Sequence, residues 1–374
     1  RARRLVRGRF LEGIDGGEAV RPDLRTRFLI ETIHDAGGTK AAVRLAAALA
    51  SAATLAALAA AFLSSEPSSA LRAFFLAPFG TEAAFLSTLE LAAPLAVCAL
   101  GVIVSFRAGH YSLGGEGQAY AGSFAAALAA PVLYEALGPA SVPLSILIGA
   151  SAGALVAAPS AIGKRLAGAD VLLTSILVSQ GVIFAVDWAI GGPFRDRSSN
   201  LVAMEALPRG ALLPRLAPPS TLTAASIVAL AACLAAAFYF DRTRSGAAHD
   251  LYGRNQRFAE LQGFDAARLS WAPIIVAGVL HGAAGAMMAL GARATAIRGM
   301  SGGIGWSAIG AALVAGSRPQ ALPFAAVLFA WLDSGSRQAS ILSDLPPDAG
   351  QAIKAVVILA VSARPAIAAI RRRR

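Results

Sequence analysis

The chain has 374 residues, of which 56% are hydrophobic and only 15% are charged, and its mean hydropathy is +0.61. A soluble globular chain carries about a quarter charged residues, so this composition excludes an ordinary soluble domain. The net charge of +11 points toward nucleic-acid binding unless the placement of the basic residues explains it otherwise.

The apolar residues are collected into blocks in chain order. Seven blocks approach the ~20 residues that cross a hydrocarbon core of ~30 Å: 41–63, 85–104, 117–133, 142–162, 171–190, 221–240 and 272–290. Three shorter blocks follow at 305–316, 321–332 and 351–361. We therefore predict an all-α, polytopic membrane protein with about ten transmembrane helices, some of them broken or half-length.

The basic residues concentrate in alternate connections between these blocks. They lie mainly in 1–40, at Lys164 and Arg165, in 241–270, and at the C-terminus, Arg371–Arg374. With ten spans all four regions fall on one side, which the positive-inside bias makes cytoplasmic. Topology thus explains the charge without nucleic acid. We expect a bacterial inner-membrane protein with both termini in the cytoplasm.

Three regions divide the chain. We predict a cytoplasmic N-terminal extension (1–40), a transmembrane domain (41–363) and a basic cytoplasmic tail (364–374). Residues 191–220 contain several prolines and lack periodicity, as in an external loop. Residues 241–270 instead space Leu261, Phe264 and Leu269 as in a short amphipathic helix. This pattern fits a segment that lies on the inner membrane face or docks on a partner, and it fits an ordinary solvated connecting helix equally well.

An internal repeat is the most informative pattern. The first glycine motif (114–122, GGEGQAYAG) and the second glycine motif (302–310, GGIGWSAIG) share the form GGxGxxxxG. Each follows a span, and we expect each to open a small-residue helix that ends at a proline, Pro131 or Pro319. Glycines at membrane depth indicate an unwound turn before a new helix. Paired glycine-interrupted segments in two related halves are typical of a transporter, so we expect the motifs to face each other across a central pathway.

The helix-break glycines are Gly114, Gly115, Gly117, Gly302, Gly303 and Gly305. The candidate pathway residues are the scarce polar and aromatic side chains near them: Ser112, Glu116, Gln118, Ser179, Gln180 and Trp306. Glu116 has two interpretations that the residues leave open. Its carboxylate either stabilises a helix N-terminus or lines the substrate path.

The sequence carries no nucleotide-binding motif. It contains no Walker A or HExxH pattern, and the cysteines Cys98 and Cys233 have no metal-ligand spacing. We therefore expect a transport subunit without its own ATPase site, and neither a bound cofactor nor a bound metal. His281, inside a span, is expected to be a packed, hydrogen-bonded side chain.

The motifs resemble those of a known family. Residues 106–118, FRAGHYSLGGEGQ, resemble the signature of nucleoside-type ABC transporter permeases, within the branched-chain amino acid and monosaccharide permease superfamily. Residues 253–264 resemble the family's cytoplasmic segment that docks on the ATPase, and residues 303–316 resemble a further conserved stretch. The sequence departs from the family at Ser112, Ser179 and Gln180, where asparagine or tyrosine is usual.

The resemblance implies a permease subunit of an ATP-driven importer, with nucleosides or related purine solutes as its cargo. The implied partners are an ABC ATPase that uses the ATP, a second permease protomer, an extracytoplasmic solute-binding protein and the lipid bilayer. The residues that the resemblance places at the ATPase are Gly253, Asn255, Ala259, Glu260, Gly263 and Phe264. Two alternatives stay open: a sugar or branched-chain amino acid permease of the same superfamily, and an ion-coupled secondary carrier.

Overall fold

A computed structural model describes residues 64–344 continuously and only isolated positions outside that range. Every regular element among the described residues is a helix, and the only strand-like pairings there are two isolated bridges. The predicted all-α class is confirmed. The predicted spans 41–63 and 351–361, the extension 1–40 and the tail 364–374 lie outside the described residues.

Twelve α-helices follow one another between residues 64 and 344. They are α1 (Pro67–Leu76), α2 (Glu82–Arg107), α3 (Gly115–Leu137), α4 (Ser141–Ala167), α5 (Val171–Gly191), α6 (Ala225–Arg242), α7 (Arg244–Arg254), α8 (Gln256–Leu261), α9 (Ala266–Leu269), α10 (Ala272–Leu290), α11 (Ile304–Val314) and α12 (Leu322–Leu342).

Five helical segments of the described chain are long and apolar enough to cross a membrane, which supports a multi-pass membrane protein. One of them, Gly115–Ala167, contains both α3 and α4, which are joined by the short turn Gly138–Ala140. Most of the first and last residues of these segments lie within a few residues of the predicted block boundaries.

Three sequence-based expectations about the helices are wrong. The block at 321–332 is not short, because α12 continues to Leu342. The polar residues that interrupt its hydropathy, such as Asp333 and Arg337, line a small cavity. Pro131 does not end a helix, since α3 runs on to Leu137. Residues 241–270 form three short helices, α7 to α9, instead of one.

The centre of the bundle is built from α2 and α10, which are the most buried of the long apolar helices. Glycines bring the backbones of α3, α4 and α10 together. A methyl group added at Gly122, Gly282 or Gly285 would collide with a facing backbone. Small residues in membrane helices permit such close approach, and van der Waals packing then replaces the hydrophobic driving force that lipid does not supply.

The described bundle has two opposite ends. At the end that we call the basic face, the end of α2 meets the start of α10: His110 bonds to Leu269, and Arg165 lies 5.9 Å from the ring of Trp271. At the other end, which we call the loop face, the connection 192–224 bonds to Glu90 of α2 and to the carbonyl of Leu290. Consequently α2 and α10 run antiparallel.

The helices α3 and α11 begin inside the bundle. Gly117 of α3 packs against Ser179, eight residues or about 12 Å along α5 from its start at the basic face. Gly305 of α11 packs against the backbone of Glu116. Because α2 and α10 are antiparallel, the units α2–α3 and α10–α11 are inverted copies whose broken helices start at one point. Two related halves with broken helices are thereby confirmed.

Candidate functional site

The two glycine motifs meet at the carboxylate of Glu116. One oxygen accepts a hydrogen bond from the backbone N–H of Gly303 at 2.8 Å, and the other accepts from Gly305 at 2.7 Å. These N–H groups are the free donors at the start of α11. Glu116 itself lies in the first turn of α3 and is 8% exposed. A single carboxylate therefore faces the positive ends of two helix dipoles.

The contact corrects the expectation that the motifs face each other across an open pathway. Gly305 packs directly on Gly115 and Glu116, with no space for a solute between them. The left-handed backbone of Gly302 and Gly303, with φ of 55° and 80°, makes the sharp turn into α11. Gly114 precedes α3 as its N-cap residue. The glycines thus make the helix starts and the contact between them.

Buried side chains support the start of α3. Ser179 accepts a hydrogen bond from the backbone N–H of Gly117 at 2.8 Å, and Ser112 accepts one from Gly114 at 3.3 Å. The amide oxygen of Gln118 lies 2.6 Å from Nδ1 of His281, which agrees with a packed, hydrogen-bonded His281. Ser112, Gln118 and Ser179 therefore all have partners within the protein, and their role in a pathway stays a prediction.

Two of the predicted pathway residues lie on the outside of the described bundle. Gln180 is exposed on α5, about 100° around the helix axis from the buried Ser179. Trp306, in the first turn of α11, is 45% exposed, although its neighbour Gly305 is buried. The predicted set thus divides into an internal group around Glu116 and an external pair, Gln180 and Trp306.

A polar cavity of about 80 Å³ adjoins the second motif. Its lining includes Gly302 and Ser307 of that motif and the charged side chains of Glu90, Arg293, Asp333 and Arg337. None of these four charged side chains, and so neither arginine, is among the candidate pathway residues. Spacing could have revealed one of them, because Asp333 and Arg337 stand four residues apart on one helix.

The predicted docking residues occupy helices α7 and α8 and the turn that follows. Asn255 caps α8 by accepting from the N–H of Phe258 at 2.9 Å, and both Asn255 and Glu260 are exposed. Gly263 has a φ of +77° and nothing near its Cα, so it serves the turn. Ala259 is fully buried, which corrects its placement on a contact surface.

The exposed apolar side chains of this segment are Phe258 and Leu261, which are 46% and 74% exposed on α8. Phe264 is half-buried and lines a cavity between α6 and α10. Of the two exposed side chains, Leu261 was identified by the amphipathic spacing, whereas nothing in the sequence analysis selected Phe258. The two exposed side chains form a small apolar contact surface on the basic face.

The segment is joined to the α2–α3 turn by an ion pair. Arg107, the last residue of α2, pairs with both carboxylate oxygens of Asp250 in α7, with one N–O distance of 2.6 Å, and its guanidinium stacks on Phe240 at 4.0 Å. A methyl group added at Gly253 would collide with the carbonyl of Arg107. The sequence analysis missed Asp250, because one acidic residue in a charged connection has no distinguishing pattern.

Two buried imidazoles hold the same segment to the bundle. Nε2 of His110 lies 3.0 Å from the carbonyl of Leu269, and Nε2 of His249 lies 2.8 Å from the carbonyl of Val104. Burial lowers the pKa of His110 to about 4, and it also lowers the pKa of His249. Both rings are therefore neutral near pH 7, and Nε2–H donates in each bond.

The antiparallel broken helices and the docked basic segment define a membrane-embedded transport permease. Residues 84–362 match the model of a family described as the branched-chain amino acid transport system / permease component. The chain belongs to this family. Its members are the permease subunits of ABC transporters, which are not enzymes on their own.

Individual relatives agree with the family assignment. The chain is 31% identical to a probable riboflavin import permease protein of Treponema pallidum, over 80% of each chain. It is 26% identical to a nucleoside ABC transporter permease of Lactococcus lactis, covering 78% of this chain and 82% of the relative. A guanosine ABC transporter permease of Bacillus subtilis is 27% identical, over 75% and 81%. No solved structure matches the chain.

Proposed function

We propose that this chain is the membrane-spanning subunit of an ABC importer for nucleosides or related heteroaromatic solutes. Its membership of the permease family across residues 84–362 is the observation that carries the proposal. ATP is bound and hydrolysed by a partner subunit, and this chain itself binds no cofactor. An extracytoplasmic solute-binding protein delivers the cargo, and the bilayer is the bacterial inner membrane.

The contact surface of Phe258 and Leu261 docks on the ATPase. Its position supports this role, since α8 is exposed, lies on the basic face and directly follows the ion-paired α7. A displacement of α8 is transmitted through Asp250 to Arg107, seven residues before Gly114. The first glycine motif, held to α11 by Glu116, then moves relative to its inverted partner.

The pathway runs along an external surface of this chain and is completed by a second permease protomer. Gln180 and Trp306 support this placement, because a side-chain amide exposed to lipid would lose its hydrogen bonds. The volume of the cavity beside the second motif, about 80 Å³, is far below the ~300 Å³ of the smallest typical ligand pockets, so we do not place the pathway there.

The basic face lies in the cytoplasm, as the placement of Lys164, Arg165 and the arginines of 241–270 suggests. A cysteine replacing Ser199, in the exposed loop-face connection, should react with an impermeant thiol reagent added to intact cells. A cysteine replacing the equally exposed Gln262 should react only in inverted vesicles. The reverse pattern would overturn this orientation.

The proposed cargo follows from chemistry that the relatives' named substrates share. Guanosine and riboflavin both carry a planar nitrogen heterocycle attached to a hydroxylated five-carbon group. An exposed indole such as Trp306 can stack on such a ring, which is worth about 1–3 kcal/mol per base. A sugar or a branched-chain amino acid offers no ring of this kind, which is why we place those cargoes second.

The test is uptake by the chain co-purified with its ATPase and reconstituted in vesicles. Leu261→Asp should remove the ATPase from the purified complex and abolish ATP-dependent guanosine uptake. Leu201→Asp, a similarly exposed leucine on the loop face, should retain the ATPase. Uptake that requires a proton or sodium gradient in place of ATP would establish the ion-coupled alternative and overturn the proposal.

Trp306→Ala separates the cargo classes within the same assay. It should lower guanosine uptake while the ATPase stays bound. ATP-dependent uptake of labelled glucose or leucine that excess guanosine does not inhibit, together with no uptake of guanosine, would exclude the nucleoside assignment and leave the importer assignment intact.

A further inference from the structure

A cavity bounded by α2, α6 and α10 has no assigned occupant. It has a volume of about 790 Å³ and lies between α2, α6 and α10, with α7 and α9 at its end on the basic face. This volume falls within the range of roughly 300–1,000 Å³ that is typical of ligand-binding pockets. It is distinct from the small polar cavity beside the second glycine motif.

The walls of the cavity are apolar where it lies among the membrane helices. Small side chains on α6, Ala232 and Ala236, leave the space open, and Leu100, Val276 and Leu280 line the facing helices. Because these five side chains are all apolar, this part of the cavity suits a hydrocarbon chain. Burial of each methylene group on such a wall is favourable.

The end of the cavity at the basic face is polar and carries two arginines. Arg244 begins α7 and Arg268 belongs to α9, and both are exposed at the cavity. Neither guanidinium forms an ion pair with another described residue. Asp265 is the one carboxylate in the lining, and it caps α9 by accepting from the N–H of Arg268 at 2.8 Å. The end of the cavity at the basic face therefore favours the binding of an anionic group.

We propose that this cavity binds one anionic phospholipid, with an acyl chain between α6 and α10 and its phosphate between Arg244 and Arg268. Basic pockets between membrane helices recognise anionic lipid headgroups. A free anion would bind at the arginines but would leave the apolar part of the cavity unfilled. Because α7 and α9 flank the docking helix α8, the lipid connects the docking segment to the bundle. The site does not depend on which solute is carried.

The test uses the purified chain in nanodiscs of phosphatidylcholine containing a minor fraction of phosphatidylglycerol, followed by native mass spectrometry. Wild-type protein should retain phosphatidylglycerol in preference to phosphatidylcholine. The double variant Arg244→Gln, Arg268→Gln should lower that preference by about fivefold for each arginine. The matched control Arg242→Gln, Arg257→Gln removes two exposed charges from the same face without touching the cavity and should keep it.

A third variant tests the apolar compartment. Ala236→Phe should fill it and reduce retention of phosphatidylglycerol while both arginines remain, and tryptophan fluorescence at the unfolding transition would show that the variant is folded. Equal preference in the double variant and its control would overturn the proposal. So would unchanged retention in a folded Ala236→Phe protein. Complete displacement of the lipid by inorganic phosphate would identify a free-anion site instead.

Discussion

Glu116 shows how one side chain can stabilise a break in two helices at once. The starts of α3 and α11 expose backbone N–H groups within the bundle, where water cannot satisfy them. Anionic ligands commonly occupy helix N-termini of this kind. Here the carboxylate of Glu116 occupies the start of α11 while lying in the first turn of α3. The geometry therefore favours a structural role for this residue.

Glu116→Gln should lower the stability of the purified protein by about 1–2 kcal/mol, because the amide keeps the shape but loses the interaction of a full charge with the helix ends. Thermal unfolding in detergent measures the effect. Glu135→Gln, an exposed glutamate on the same helix, is the matched control and should leave the unfolding midpoint unchanged. If Glu116→Gln abolishes uptake without changing stability, the carboxylate belongs to the pathway.

Gly282→Ala should destabilise the bundle, because the added methyl group would collide with the carbonyl of Gly149 and with Gly153. The expected loss is about 1–3 kcal/mol, typical of an overpacked core. Gly181→Ala, in the exposed side of α5 with nothing near it, should be neutral or stabilising, since alanine favours helix by about 1 kcal/mol. Equal unfolding midpoints for the two variants would contradict the close packing of α4 and α10.

At the scale of elements, the segment α7–α9 is attached to the bundle by directional bonds. The Arg107–Asp250 ion pair and His249 connect it to α2, and His110 connects it to the turn that follows α2. Such attachments allow a short segment to transmit a displacement, because the partners must move together or separate. The neutral imidazoles make the attachment sensitive to acid.

Lowering the pH from about 7.5 to about 5.5 should destabilise the segment through His110. Its pKa falls from an ordinary 6.5 to about 4 in the folded protein, so the unfolded state binds more protons between these values. Stability is therefore complete above about pH 6.5 and is lost as the pH falls toward 4. The expected loss at pH 5.5 is about 1 kcal/mol.

The measurement is the shift of the unfolding midpoint between the two pH values, compared with His110→Gln. Glutamine can donate to the carbonyl of Leu269 but does not titrate in this range, so the variant should shift less than wild type. Identical shifts would mean that His110 does not contribute to the acid sensitivity.

At the scale of the whole molecule, burial is distributed unevenly among the long helices. The central α2 and α10 are mostly buried, whereas α5 and α6 are mostly exposed. Apolar side chains cover most of the exposed side of α5, but Gln180 and Gly181 interrupt it at membrane depth. This side of α5 is where a second protomer would complete a pathway.

Gly181→Cys should form a disulfide between protomers, because a cysteine there would have open space around it and would lie on the proposed interface. Oxidation in membranes followed by non-reducing electrophoresis measures it. The native Cys98 and Cys233 are buried and give little background. A cysteine at Leu234, exposed on α6, should remain monomeric. Crosslinking through α6 but not through α5 would move the interface.

The sequence by itself determined the class of fold, most helix positions and the internal repeat. Blocks of about twenty apolar residues admit no other arrangement in a bilayer, since every backbone polar group there must bond within its own segment. The glycine motifs likewise marked the helix breaks, because a sharp turn and a close approach both require the smallest residue. Docking by 253–264 and the cargo rested on resemblance and remain proposals for experiment.

Only the tertiary structure decided which side chains meet. Periodicity places a residue on a helix but does not say which residues face it. The sequence therefore left two roles open for Glu116, and only the structure shows that its carboxylate binds the start of α11. The partners of Arg107 and His110 are more than 140 residues away along the chain. Long-range contacts of this kind depend on how helices pack, and packing is set by the shapes of many side chains together.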